Sequence, residues 1–232
     1  MIPVPVALDH LFALADLLPI ETVPLRAAAG RVLGEPVKAR RTQPPFAASS
    51  MDGYAIKGVE ADLHAQFKVI GESAAGHRWA GTLKPGQAVR IFTGAPVPDG
   101  ADKVVIQENV TRSGDMIAIT GDPGPSDNIR PAGVDFPQGM QIDAPRRLSP
   151  GDIALLAAMN VAHVPVRRAP VVALMATGDE LVVPGEAPGP DQIIASNSYG
   201  LAAMLERLGA RVRVLPIARD TDTSLRTVLA LA

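Results

Sequence analysis

Hydrophobic spacing divides this chain into three regimes. Leu8, Leu11, Phe12, Ala15 and Leu18 recur every three or four positions, which predicts an amphipathic helix over residues 8–18. Residues 21–40 mix short strand-like runs with a helical turn around 27–33. From about residue 46 to residue 143 the period shortens. Apolar runs at 67–70, 88–92, 103–106 and 116–119 alternate with Gly, Pro and Asp turns, and predict a β-rich unit without helix.

Helical signals return at Ser149-Pro-Gly-Asp152. Ser149 suits an N-cap, Pro150 the first helical position, and Asp152 the positive end of the helix dipole. Asn160 suits the stop. A strand–loop–helix–strand pattern follows: strand 170–176, loop 177–194, amphipathic helix 196–208 ending at Gly209, and strand 211–217. This is the opening of a doubly wound α/β unit. Asp220 or Asp222 is placed to cap a last helix whose apolar face is Leu225, Val228, Leu229 and Ala232. A parallel sheet needs more than two strands and cover on both faces. The α/β unit is therefore expected to be incomplete and the chain to be truncated on its C-terminal side.

Composition narrows the function classes. Of 232 residues, 47% are hydrophobic and 20% charged, within the globular range. A net charge of −2 provides no basic field for nucleic acid and no basic run for a membrane surface. No apolar run approaches the ~18 residues of a membrane span. The N-terminus lacks the charged and apolar regions of a secretory signal, and a cytoplasmic location is expected. Cysteine is absent, so disulfides and thiolate metal sites are excluded. Aromatics are only 3%, so a ligand is expected to be held by hydrogen bonds and backbone rather than by stacking.

Four motifs carry the candidate chemistry. The first is Gln43-Pro-Pro-Phe-Ala-Ala-Ser-Ser-Met-Asp-Gly-Tyr-Ala55, which delivers Asp52 onto a turn just before a strand. Asp52 reads either as an Asp-Gly turn or as a carboxylate for Mg²⁺ or an oxyanion-bearing ligand. The second is Thr93-Gly-Ala-Pro-Val-Pro. There Thr93 and Gly94 form either a plain strand end or a nest of donors for a tetrahedral anion. The third is Arg130-Pro-Ala-Gly-Val-Asp135, either a structural Arg–Asp pair or an anion contact with a second carboxylate. The fourth is Thr177-Gly-Asp-Glu-Leu181, at the carboxyl edge of the first α/β strand, where open sheets bind ligands. Asn197 starts the next helix, as a cap or as a ligand donor.

The order and wording of these motifs resemble the molybdopterin molybdenumtransferases, the MoeA family, to which gephyrin's E domain belongs. The resemblance runs from about Leu8 to the end of the chain. It implies a multi-domain, elongated chain: an N-terminal helix and linker segment (1–45) packed with 141–168, a β-rich domain (46–140), a helical and strand linker (141–168), and an incomplete molybdopterin-binding α/β domain (169–232). It also implies a catalytic set of Asp52, Thr93, Asp135 and Glu180. Cofactor contacts would come from Gly94, Arg130, Gly178, Asp179 and Asn197, and Mg²⁺ ligands from Asp52, Asp135 and Glu180. The implied reaction is insertion of molybdenum from molybdate into adenylylated molybdopterin with release of AMP. The implied assembly is a homodimer with a composite site, with other molybdenum cofactor biosynthesis proteins as further partners.

Three departures stand out. Ala47-Ala48 replaces the family's Asp-Asn, Val134 replaces a Glu, and Ser198 stands where an Arg is usual. They motivate an alternative: a non-catalytic molybdopterin- or nucleotide-binding scaffold that keeps the fold. A generic nucleotide-binding enzyme is disfavoured, because the chain has neither a Walker Gly-Lys-Ser/Thr nor a Gly-x-Gly-x-x-Gly after a strand.

Overall fold

The structure, a computed structural model, describes residues 2–232. The chain is mixed helix and sheet. It falls into two compact units. One holds the chain up to Val37 with Asp143–Leu155 and Ala162–Ala232; the other holds Lys38–Ile142 with Leu156–Val161.

In the first of these units, helix α1 (Val4–Ala13) begins and ends earlier than its apolar repeat suggests. Pro3 is the extended N-cap and Pro5 lies in the first turn, where a missing N–H costs nothing. No residue of α1 is buried, and Leu14 and Leu17 are also exposed. Helices draw most of their stability from packing, and here the repeat meets no surface that would carry the helix on to residue 18. The strand Ile20–Pro24 pairs along its whole length with His163–Arg167. That strand also pairs with Val32–Leu33, which in turn pairs with Arg146–Arg147. The helical turn expected at 27–33 is a short 3₁₀ turn at Leu25–Ala27. Gly30, at φ +73°, then takes the chain out of helix and into strand.

Helix α2 (Pro150–Ala158) starts where Ser149 and Asp152 cap each other. Ser149 donates from N (2.8 Å) and Oγ (2.7 Å) to Asp152 Oδ2, and Asp152 N donates to Ser149 Oγ at 3.2 Å. Asn160, at φ +62°, closes the segment.

The strands Val171–Leu174 and Arg211–Val214 pair in parallel, with helix α3 (Asn197–Leu208) between them in sequence. Gly209 at φ +98° caps α3 as its sequence predicts. The loop expected over 177–194 contains a small parallel pair, Leu181–Val182 with Ile193–Ile194. Regular pairing of the last strand stops at Val214, short of the expected residue 217. Helix α4 (Asp222–Leu229) is capped by Thr221, whose Oγ1 accepts from Ser224 N at 3.2 Å, and not by Asp220 or Asp222. The cap position falls between them: Asp222 is the first helical residue and pairs with Arg226 at 2.7 Å, and Asp220 lies one residue before the cap. Val228 and Leu225 of α4 pack with Leu215 and Ala218.

The second unit is built on a six-stranded sheet. Its order is Lys103–Ile106, Gly53–Ile56, Gln87–Ile91, Gln66–Ser73, Met116–Ile119, Val110–Ser113. Neighbours are antiparallel except Gln66–Ser73 with Gln87–Ile91. Successive side chains point to opposite faces, and both faces are filled. Tyr54, Ile56, Phe67, Val105 and Ile117 cluster together; Ala55, Ile91, Ala95 and Val104 form a second cluster. The strand expected just after Asp52 is Gly53–Ile56, and all four of its residues are buried. Gly53 is required there, since a Cβ would lie 2.0 Å from the Val105 carbonyl oxygen. Among the described residues, no helix is long and apolar enough to cross a membrane.

Candidate functional site

The first three motifs, far apart in sequence, join into one hydrogen-bonded surface within the second unit. Residues 47–50 are the seam. On one side Ser49 N donates to Ala95 O (3.0 Å), Gly94 N to Ser49 O (2.8 Å) and Val97 N to Ala47 O (2.9 Å). On the other side Ala48–Ser49 pairs with Ile129–Arg130, with Ala48 opposite Arg130, and Ser50 N donates to Asn128 O at 2.9 Å. The third motif returns to the first through Gly133 N to Pro44 O (2.9 Å) and Asp135 N to Gln43 O (3.1 Å). Ile129 packs inward on the Ala55–Ile91 cluster, and strand alternation sends its neighbour Arg130 outward.

Asp52 is half-buried at this surface. Its Oδ1 accepts from both Thr93 N and Thr93 Oγ1, each at 2.8 Å. Its Oδ2 takes no hydrogen bond from the described residues. The Thr93 backbone N–H, then its hydroxyl, hold the Asp52 carboxyl below its ordinary value; desolvation opposes them and the charge of Arg90 adds to them. The group is thus a carboxylate with one oxygen held and one presented. Both Thr93 donors go to Asp52, so the pair works as one device. Gly94 turns at φ +80° with open space where a side chain would stand. Arg130 donates from NH2 to Asp135 Oδ1 at 2.7 Å. Both partners are half exposed, so the pair adds little stability and its members can exchange partners cheaply. No group of three or more His, Asp, Glu or Cys residues that could hold a metal occurs among the described residues.

The fourth motif belongs to the first unit. Gly178, at φ +148°, lets the Glu180 carboxyl fold back over it; a Cβ would meet Glu180 Oε2 at 2.4 Å. Glu180 is exposed; its carbonyl accepts from Ile193 N at 2.8 Å, but its carboxylate accepts no hydrogen bond from the described residues. Asp179 Oδ1 accepts from Asp220 N at 3.3 Å, a loop-shaping contact. The loop is held by Arg219, whose NH1 shares its hydrogens among the carbonyls of Asp179 (2.9 Å), Leu181 (3.2 Å) and Gly178 (3.3 Å). Beside it lies a cavity of 430 Å³, lined by Thr177, Leu181, Ile193, Ser196, Asn197 and Ser198 among others. That size suits a small molecule. Asn197 is the first residue of α3, and its N-cap Ser196 makes no side-chain capping bond. The opening turn of α3 therefore offers backbone donors to the cavity.

Two arginines escape the motif reading. Arg219 follows the second α/β strand at the carboxyl edge, and that location is the signal that could have found it. Arg90 lies mid-strand, three residues before Thr93, and carries no local signal.

Comparisons with known proteins place the chain among relatives. The family model of the MoeA N-terminal region (domain I and II) matches residues 2–160. The chain is 38% identical over 218 residues to a molybdopterin molybdenumtransferase of Nostoc, a match covering 91% of this chain and 50% of that protein. It is 34% identical over 204 residues to the Haemophilus influenzae protein of the same name, covering 87% and 50%. A crystal structure of a molybdopterin biosynthesis MoeA protein from Pyrococcus horikoshii matches with a TM-score of 0.84 at 30% identity, covering 100% of this chain and 64% of that one. The chain spans about half the length of the curated relatives it matches. With a family model matched across well over half its residues, the chain belongs to the MoeA family.

Proposed function

We propose that this chain carries site residues of a molybdopterin molybdenumtransferase, which inserts molybdenum from molybdate into adenylylated molybdopterin and releases AMP. The observation that carries this reading is the joining of three motifs around Asp52, with Arg130 on the same hydrogen-bonded surface. Asp52 presents one free carboxylate oxygen. Mg²⁺ binds through few protein carboxylates and fills its shell with water and phosphate oxygens, so that single oxygen fits it without a protein cage. Asp135 and Glu180 are the further carboxylates of the proposed metal set. Bound Mg²⁺ would neutralise charge on the leaving phosphate.

In this reading Arg130 leaves Asp135 to take a phosphate or molybdate oxygen bidentately. Thr93 keeps Asp52 ionised and aimed, and Gly94 gives the anion close approach to backbone. Gly178, Asp179, Asn197 and the cavity beside them take the molybdopterin portion. The segments 1–45, 46–140, 141–168 and 169–232 are the proposed structural divisions, with the last an incomplete doubly wound domain. The proposed assembly is a cytoplasmic homodimer, supplied by other molybdenum cofactor biosynthesis proteins. Its composite site would draw Asp52 and Glu180 from different subunits. A strictly monomeric protein in light scattering would rule out such sharing.

A second reading rests on Ala48. This residue stands opposite Arg130 in the strand pair and brings no polar side chain to it. A scaffold that binds the substrate without turning it over would tolerate that loss. One assay separates the readings: the protein is given adenylylated molybdopterin, molybdate and Mg²⁺, and both bound ligand and free AMP are measured. Release of AMP supports the transferase. Binding without AMP supports the scaffold. Neither binding nor AMP overturns both.

A further inference from the structure

We propose that Arg90 is the positioning residue for the Asp52–Thr93 pair, a guanidinium clamped between two aromatic rings that ties together the three chain segments meeting at that pair. The proposal rests on the reading of Asp52 as a site carboxylate.

Arg90 lies on the strand Gln87–Ile91, opposite Tyr54. Its guanidinium carbon is 5.1 Å from the Tyr54 ring centre and 4.7 Å from that of Phe92. The chain has eight aromatic residues, and two of them are placed on this one side chain. NH1 donates to Gly53 O at 3.1 Å and NH2 to Gln107 Oε1 at 2.6 Å. Gln107 N in turn donates to Asp52 O at 3.0 Å.

The contacts form a pattern around the pair. Gly53 follows Asp52 in the chain, and Phe92 precedes Thr93. Arg90 therefore grips the residue next to each partner, while Gln107 grips the backbone of Asp52 itself. A slip of either strand end by a few tenths of an ångström would lengthen the two 2.8 Å bonds on Oδ1.

The chemistry calls for arginine. Its planar fork donates in two directions at once and stacks on ring faces; lysine supplies the charge without the fork. The same charge favours the ionised carboxylate, as a smaller contribution than the Thr93 bonds. Arg90 is the charged side chain that acts on Asp52. Glu108 is reached through Gln107, whose Nε2 donates to Glu108 Oε1 at 3.3 Å.

The test needs no substrate. Carboxyl-labelled aspartate gives the Asp52 carboxyl shift at neutral pH by NMR, and hydrogen exchange reports the Thr93 amide. Wild type is compared with Arg90→Met, Arg90→Lys and Gln107→Leu. In Arg90→Met the Asp52 carboxyl signal moves and Thr93 exchanges about tenfold faster, because a hydrogen bond to a charged acceptor is loosened. In Arg90→Lys exchange still quickens, since charge is kept and the fork is lost. Gln107→Leu leaves Arg90 in place and also speeds Thr93. A folded Arg90→Met protein with an unchanged Asp52 carboxyl signal and unchanged Thr93 exchange overturns the proposal. If that variant fails to fold, the Lys and Leu variants decide by the same two readouts. These results are independent of AMP release. A transferase reading that fails in the assay leaves the positioning role standing or falling on NMR alone.

Discussion

The Asp52 carboxylate accepts two hydrogen bonds from Thr93, whereas the Glu180 carboxylate accepts none from the described residues, and the contrast follows from what lies beneath each. Asp52 precedes a strand inside a six-stranded sheet whose Ile56, Val89 and Ile91 are wholly buried. Glu180 stands beyond a two-stranded parallel pair in which Val171 is 61% and Val214 50% exposed. A sheet filled on both faces fixes its strand ends, so side chains leaving them meet in one geometry. A thin, half-covered pair cannot do that, and its loop depends on one guanidinium, Arg219. The first region is preorganised; the second is held more loosely.

The largest test of this contrast is a core truncation. Phe67→Ala, at a position 1% exposed, is expected to cost about 3–5 kcal/mol in urea denaturation. Val171→Ala is expected to cost about 0.5 kcal/mol or less, as an exposed substitution. Equal costs would dissolve the comparison. Next comes Arg219→Met, which leaves three carbonyls without their donor. Hydrogen exchange should speed up around residues 178–181 by an amount corresponding to about 1–3 kcal/mol, with the strand Gly53–Ile56 unchanged. A uniform change in both regions would show that Arg219 does not act locally.

A smaller effect calibrates both regions from a cap in neither motif set. Ser149→Ala removes the two bonds between the Ser149 hydroxyl and Asp152 and should lower stability by about 1 kcal/mol, read as a drop in Tm. The smallest effect is on pH. The carboxyls of Asp52 and Asp152 both lie below the ordinary 3.8, chiefly through backbone N–H donors from Thr93 and Ser149. A depressed folded value means that the stabilisation is complete above the unfolded value and is lost as pH falls through the folded one. Stability should therefore hold at neutral pH and decline from about pH 5 downward. Asp52→Asn and Asp152→Asn should each flatten that decline in acid titrations followed by circular dichroism. An unflattened curve would mean that the Thr93 and Ser149 bonds do not favour the ionised forms.

Legibility in the sequence followed the same divide between local and tertiary signals. Runs such as 103–106 and 116–119 are strands within their stated bounds, because apolar residues between turn residues have little else to form. Ser149 and Gly209 cap their helices because capping is local chemistry. The strand expected directly after Asp52 is Gly53–Ile56, although a fully buried strand does not alternate and this one begins with glycine. Helix α1 is displaced because its periodicity ran past the point where packing could support it. At the site, Asp52, Thr93, Arg130 and Glu180 were visible as motif residues. The bonds Thr93 makes to Asp52 were not, since they join positions 41 residues apart. Arg90 and Arg219 act through backbone carbonyls of distant segments, and no short motif encodes that.

Asp52, held by Thr93 on one oxygen, is proposed to offer the other to a Mg²⁺-dependent ligand. Calorimetric titration with adenylylated molybdopterin, with and without Mg²⁺, compares wild type with Asp52→Ala. Binding that requires Mg²⁺ in wild type and disappears in the variant is the predicted result. Binding of equal strength in both proteins, or indifferent to Mg²⁺, would contradict it.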